Sequence, residues 1–487
     1  MGILCALAPK NVFSYFEKIC SVPHASGNLE KITELCVSFA EELKLKYELQ
    51  PCGDLLIFKE GSPGCEMLAP IILQGHMDMV AVKTDECTKD LATEGLTLQT
   101  DGEWVWADGT SLGADDGIAL AMIFAILQDE SLPHPPIEAV LTVNEETGMD
   151  GALALAPAHL RGKMLLNLDS EEEGVLTASC AGGVNANCFL PLSCEKISDE
   201  IGLRVSVSGL LGGHSGEMID CGRANAALTL GRVLFAASER FSSLRAAKVE
   251  GGRFHNVICP ECTADVCLKP EQVDEFEQFI AQMQGVLRGE YRVSDPNITL
   301  SCEKVPLGAA WSAADSARAF AVLCAMPNGV MAMSADIPGL VQTSLNLGTI
   351  RTEEDGLHFS FLIRSSVPSQ KQMLCEKLRA VLQNGTLTLD GDYPAWPYRP
   401  ESRLRRITQK AYKAVTGKTA RISAIHAGLE CGIFCEKIPE LDAVSIGPDI
   451  LDIHSVGERL SVASTGRVYQ TVLEILRNLT FPESVVQ

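Results

Sequence analysis

Short apolar runs and helical patterns alternate from the start of the chain to about residue 180. Helical periodicity fills 11–50 around a turn at SVPHASGN. Strands are predicted over 68–73, 137–143 and 163–168, and a strongly apolar helix over 118–127. Strands alternating with helices at this spacing predict a mostly parallel sheet. The pattern changes near Gly182, and positions 203–207 alternate apolar and polar as a half-exposed antiparallel strand does. A helix over 223–241, strands over 254–258 and 264–268 and a helix over 272–287 complete one round. Strands over 298–302, 344–350 and 357–363, with helices over 314–325 and 370–382, make a second. The two rounds read as two tandem βαββαβ-like units. The Pro-rich YPAWPYRP at 393–400 is a linker. A helix over 405–416, a strand over 443–446 and a closing helix over 465–479 then return to α/β character.

The residues that end the apolar runs carry the chemistry. GHMD (75–78), LGADDG (112–117), NEETG (144–148), NLDSEEEG (167–174) and DIHS (452–455) each set His, Asp or Glu past a β-rich run or at the mouth of a helix. In an open α/β sheet the carboxyl ends of the strands line one crevice. Two histidines and several carboxylates gathered there predict one site for two metal ions. Since His454 has to join ligands from before residue 170, the intervening segment is an inserted domain. The expected fold class is thus α/β: a mostly parallel-sheet catalytic domain over 1–182 and 396–487, with an inserted α+β lid over 183–395.

His76 and Asp78, two apart on extended backbone, point to one side. That suits His76 as a ligand and Asp78 as the group holding its other ring nitrogen. Asp115 and Asp116 open an apolar helix, where one can cap while the other bridges metals ~3.5–4 Å apart. Glu145 and Glu146 are adjacent at a strand end and point opposite ways, which suits a ligand and a general base. Asp169 and His454 complete the set. His, Asp and Glu without Cys favour zinc, with manganese or cobalt as alternatives. Three carboxylate ligands against two divalent cations leave one positive charge for a hydroxide to neutralise, and metal lowers the pKa of bound water to ~7. CPEC at 259–262 has ligand spacing but no second pair. His24, His134, His159 and His358 are read as structural or surface residues.

The net charge of −23, from 40 basic and 63 acidic residues, argues against nucleic acid or anionic membrane as partner. No apolar stretch reaches the ~18–20 residues of a membrane span, and no basic segment precedes the first apolar run. The 18 cysteines then read as reduced core thiols of a cytoplasmic protein.

These strings, in this order and together with ICSVPHASG, CAGG, GGHSG and HSVGE, resemble the aminoacyl-histidine dipeptidases, also called cytosolic non-specific dipeptidases. These belong to a broad group of two-zinc exopeptidases and deacylases, and the likeness runs over nearly the whole chain. The resemblance implies a zinc exopeptidase catalytic domain with two Zn²⁺ per chain. His76 and Asp169 would bind one zinc, Glu146 and His454 the other, and Asp115 would bridge them. Glu145 would be the general base and Asp78 the support of His76. His214 of GGHSG would stabilise the oxyanion, and Asn256 and Arg364 would hold the substrate's free carboxylate. HAGLECG at 426–432 would be a substrate-binding loop, with Gly428 and Glu430 its working residues. Asp116 stands where relatives often have Asn, with little consequence expected. Relatives with one lid unit dimerise through it and receive the histidine from the partner; a doubled lid places that arrangement in one chain, and homodimers through other surfaces stay open. The implied reaction is hydrolysis of a small peptide substrate, Xaa-His such as β-Ala-His or another unblocked dipeptide, by metal-hydroxide attack. Deacylation of N-acyl amino acids and tripeptide cleavage are the alternatives. A non-catalytic binding protein would show a lost ligand or base, and none is missing.

Overall fold

The apolar run at 118–127 lies in the helix Ala114–Gln128, which is buried on every side from Ala114 to Leu127. A helix without a polar face has to be enclosed, and this one packs against the helix Lys10–Cys20 and the strand Ile71–His76. Tyr15, Phe39 and Phe124 close the contact edge to face or tilted, at ring-centroid distances of 5.1, 5.7 and 4.9 Å. The computed structural model describes residues 2–481. Its chain forms two units, Met1–Cys180 with Tyr398–Ala424 and Leu429–Gln487, and Ala181–Pro397 with Ile425–Gly428.

Eight strands build the sheet of the first unit, in the order Lys46–Leu49, Leu55–Lys59, Ile137–Thr142, Ile71–His76, Met164–Asn167, Asp442–Ser445, Val175–Cys180 and Arg421–Ile425. The four from Ile137–Thr142 to Asp442–Ser445 run parallel. Pairing on both sides of them is antiparallel, so the expectation of a mostly parallel sheet holds only at the centre. The reason is local. A tight connection joins Lys46–Leu49 to Leu55–Lys59, and such a turn can make only an antiparallel pair. Parallel strands are covered on both faces and read as unbroken apolar runs, which is why the central strands stood out in the sequence. Their carboxyl ends lie together and lead into the segments that carry His76, Glu145 and Asp169.

The second unit has a nine-stranded antiparallel sheet. Its main path runs Thr299–Lys304, Ile201–Ser208, Cys262–Leu268, Arg245–Gly251, Val341–Glu353, Gly356–Ser365, Gly182–Pro191 and Thr386–Tyr393, and Gly329–Met333 pairs beside Val341–Glu353. Two βαββαβ units are present, but they are nested rather than tandem. The inner one takes Ile201–Ser208, Ala226–Ser238, Arg245–Gly251, Cys262–Leu268, Val273–Glu290 and Thr299–Lys304 in sequence. The outer one opens with Gly182–Pro191, is interrupted by the whole inner unit, and resumes with Ala313–Ala325. The strand expected to begin a second round at 298–302 therefore closes the first, at the outer edge of the sheet. The opening strand was missed because its polar positions (Asn185, Asn187) face a partner strand, Thr386–Tyr393, that is itself exposed. The two units share one sheet through a single register pair, Gly251 with Ile350, backed by Arg351 Nη1 donating to the Gly251 carbonyl at 2.6 Å. Segment 254–258 is not a strand: it turns at Phe254–Val257, and Asn346 Nδ2 donates to the carbonyls of His255 and Val257.

Asn225 joins the two nested units. Its Oδ1 caps Ala226–Ser238 by accepting the N–H groups of Ala227 and Leu228, and its Nδ2 donates to the Leu347 carbonyl at 2.7 Å. Asn225→Ala removes a cap and a buried hydrogen bond, and should lower the unfolding free energy of this unit by about 2 kcal/mol. Denaturant unfolding measures it, and an unchanged midpoint would show that the two units are held together elsewhere.

Candidate metal centre and substrate-binding groups

Of the residues singled out in the sequence, His76, Asp78, Asp115, Glu145, Glu146, Asp169, Glu430 and His454 lie in the first unit. His214, Asn256, Arg364 and Gly428 lie in the second.

In the first unit Asp115 occupies the middle of the cluster. Its Oδ1 is 3.1 Å from His76 Nε2 and its Oδ2 is 3.1 Å from His454 Nε2. Each imidazole meets one further carboxylate, Asp169 at 3.5 Å from His76 and Glu146 at 2.9 Å from His454. Ligand atoms of Asp115, Glu146 and His454 lie within 4.8 Å of one another, as do those of His76, Glu145 and Glu146, and those of His76, Asp116 and Asp169. The supports are equally specific. His76 Nδ1 lies 2.9 Å from the Asp78 carbonyl and 3.5 Å from the Asp78 carboxylate. The ring is thus held mainly by backbone, and the Asp78 carboxylate accepts the Glu145 and Glu146 N–H groups and the Ser26 hydroxyl. Asp116 does not cap the helix. Its Oδ2 accepts the His76 N–H at 3.1 Å, a contact that needs Gly75, where a Cβ would come within 2.6 Å of that oxygen.

Five carboxylates (Asp115, Asp116, Glu145, Glu146, Asp169) thus crowd two imidazoles in a buried space. Burial pushes the Asp116 and Asp169 carboxyls far above their usual range. Burial also pushes Glu145 up to about 7, with His76 opposing and Glu146, Asp115 and Asp78 adding. The Asp115 and Glu146 carboxylates hold the His454 imidazole up to about 10. A cluster so short of positive charge is the electrostatic signature of a cation site. Glu146 Oε1 has the His454 imidazole as its partner, at 2.9 Å. The donor set, imidazole and carboxylate only, fits zinc or a similar divalent ion.

In the second unit His214 sits between the left-handed Gly212–Gly213 pair and Ser215, and pairs once with Val257 beside Asn256. Arg364 is only 6% exposed. Its Nη1 donates to Tyr393 Oη at 3.0 Å, its Nε is buried without a partner, and no carboxylate of the described residues pairs with it. Its charge reaches two histidines. Burial and then Arg364 push His214 down, and the same two causes push His426 down to about 3. His426 Nε2 is 2.7 Å from Ser344 Oγ. Of HAGLECG, the histidine was passed over in the sequence, yet it stands in this cluster. Its neighbour Gly428 belongs to the same short segment of the second unit.

A family model for the peptidases M20/M25/M40 matches residues 72–478. The chain is 36% identical over 483 residues to the cytosol non-specific dipeptidase of Escherichia coli (strain K12), covering 98% of this chain and 99% of that protein. A crystal structure of an aminoacylhistidine dipeptidase from Vibrio alginolyticus superposes with a TM-score of 0.91 at 35% identity, covering 98% of each chain. The aminopeptidase PepT of Bacillus cereus ATCC 10987 shares the fold, with a TM-score of 0.58 at 14% identity over 98% of this chain and 100% of that one.

Glu430, expected among the substrate-binding groups, lies in the interior, with its Oε1 buried without a hydrogen bond. It is fully buried, and its Oε2 accepts Gln74 Nε2 at 2.5 Å and the Thr142 hydroxyl at 2.7 Å, while Asn167 Nδ2 donates to Gln74 Oε1. It touches no open surface and ties together the ends of three central strands. Glu430→Ala strands two buried donors and should cost about 2–3 kcal/mol of stability in denaturant unfolding. A variant as stable as the parent would return Glu430 to the substrate-binding groups.

Proposed function

The chain belongs to peptidase family M20/M25/M40 and hydrolyses peptide bonds as a dipeptidase, and from that premise we propose which residues do the work. The observation that carries the reading is Asp115, one carboxylate shared at 3.1 Å between two imidazoles that each have a carboxylate of their own. His76 and Asp169 would hold one divalent cation, Glu146 and His454 a second, and Asp115 both, with zinc favoured by the ligand types. Bound there, the pair would polarise the scissile carbonyl and bring the pKa of a water to ~7. Glu145, whose carboxylate comes within 4.8 Å of His76 and Glu146, takes the proton of the attacking water and returns it to the leaving amine. Asp78 keeps the Glu145–Glu146 backbone and the His76 ring in place. His214 donates to the developing oxyanion. Arg364, a buried cation without a carboxylate, is suited to the free carboxylate of a dipeptide by its planar fork, with Asn256 and Gly428 beside it in that role. None of the 18 cysteines is in a disulfide, which supports a cytoplasmic setting, and no helix of the described residues is long and apolar enough to cross a membrane.

Zinc-reconstituted protein should cleave β-Ala-His and Gly-His and stop when a chelator is added. Comparable cleavage of Leu-Gly-Gly or N-acetyl-Met would overturn the substrate class while keeping the chemistry. Glu145→Ala should keep its metal and lose about 10²–10⁴ in kcat; metal analysis beside steady-state kinetics reads both. A loss under about tenfold would remove Glu145 from the reaction.

A further inference from the structure

Glu458 follows His454 by four residues and is 2% exposed. Its Oε2 accepts the N–H groups of Leu112 at 2.8 Å and Gly113 at 3.1 Å, and its Oε1 accepts those of Ala114 at 2.8 Å and Asp115 at 3.4 Å. Successive backbone donors converging on one anion form a nest, which a left-handed residue opens. Gly113 is that residue, at φ 64°, and a side chain there would meet Met79 Sδ at 2.6 Å. The last donor in the nest is Asp115 itself.

The other end of Glu458 matters as much. His454 is at the tip of a hairpin whose strands pair Ile450 with Leu460 and Leu451 with Arg459. His454 itself has φ 57°, and its side chain is 44% exposed. Its Nε2 pairs with the Asp115 and Glu146 carboxylates, and among the described residues its ring makes no hydrogen bond to backbone. His76, in contrast, is buried in a central strand with its ring on a backbone carbonyl. The hairpin therefore meets the Asp115 backbone through the Glu458 carboxylate, while His76 needs no such tie.

We propose that Glu458 is a positioning residue that fixes His454 against Asp115 and so sets the affinity of the cation held by Asp115, Glu146 and His454. The cation held by His76 and Asp169 depends on it far less. The inference rests on the two-cation reading above. Glu458→Gln keeps the shape but sets an amide N–H against backbone N–H groups. Cation-free wild-type and E458Q proteins are titrated with Co²⁺, followed by calorimetry and by visible absorption, with a thermal melt of each. Wild type should take two ions per chain. E458Q should hold one within about threefold of wild type and lose about 10–100-fold on the other, together with that ion's absorption bands. Wild-type affinity and spectrum at both sites would overturn the proposal. Equal weakening of both would also overturn it, making Glu458 a general stabiliser. Should E458Q not fold, Glu458→Asp, too short to reach all four donors, is judged by the same two sites. A wild type that takes fewer than two ions would overturn the two-cation reading and this inference with it. A wild type with two ions beside an unaffected variant overturns this inference alone.

Discussion

One carboxylate between two imidazoles sets the terms for the first unit. Asp115 has an oxygen for His76 and an oxygen for His454, and those histidines are hundreds of residues apart in the chain. Bringing them together requires a scaffold that delivers distant segments to one place with sub-ångström repeatability. Parallel strands do this, because their carboxyl ends open on the same side and each can launch a ligand. The all-apolar helix behind Asp115 serves the same end. A helix enclosed on every side cannot shift without opening the core, and the non-helical Asp115 and Asp116 at its start are anchored to it on one side.

The second unit solves a different problem. It must present a few polar groups from a broad antiparallel surface. It does so by nesting one βαββαβ unit inside another and fusing them into a single sheet at Gly251 and Ile350. Arg364 comes from the strand Gly356–Ser365 at the heart of the outer unit, whereas His214 and Asn256 come from loops of the inner one. The relative placement of these groups thus rests on the fusion, across which Asn225 and Arg351 reach. A buried guanidinium without a carboxylate is costly to keep, which is the physical ground for proposing that Arg364 meets the carboxylate of a substrate.

The residues of the candidate metal cluster were legible because each ends an apolar run or opens an apolar helix, and periodicity sees such runs well. The strand ends at His76, Glu145–Glu146 and Asp169 were all readable this way, and so was the helix behind Asp115. What escaped detection was whatever depends on pairing at a distance. Gly182–Pro191 belongs to a unit that resumes only at Ala313, so its partners cannot be read from its neighbours in sequence. Asp116 was read as neutral in consequence, because nothing local shows that its oxygen lies under Gly75. Glu430 carried the right chemistry for a substrate contact, but its burial depends on Gln74 and Thr142, from two other strands. Glu458 did have a signal, an acid four residues after His454 in HSVGERL. It could be read only as charge until the nest at 112–115 gave it a partner.

The buried acids of the first unit sort themselves by what their oxygens accept. Asp78 takes two N–H groups and a hydroxyl, Asp116 one N–H, Glu458 four, Asp54 the Val143 N–H, and Glu138 those of Arg161 and Gly162. Glu430 takes a side-chain amide and a hydroxyl. Each of these has at least one oxygen held by a neutral donor, although Asp54 Oδ2 and Glu430 Oε1 are buried without one. The carboxylates of Asp115, Glu146 and Asp169 meet only imidazoles and one another's fields. A buried carboxylate left without neutral donors is too costly to keep unless a cation completes it. Among the described residues, Asp115, Glu145, Glu146 and Asp169 are thus set apart from the acids held by neutral donors, a division that the strand-end pattern alone left open at Asp115–Asp116 and at Glu145–Glu146. Asp78 holds the Glu145–Glu146 backbone and Glu458 the Asp115 backbone, so an acid pinned by backbone donors stands beneath each of these unpinned ones.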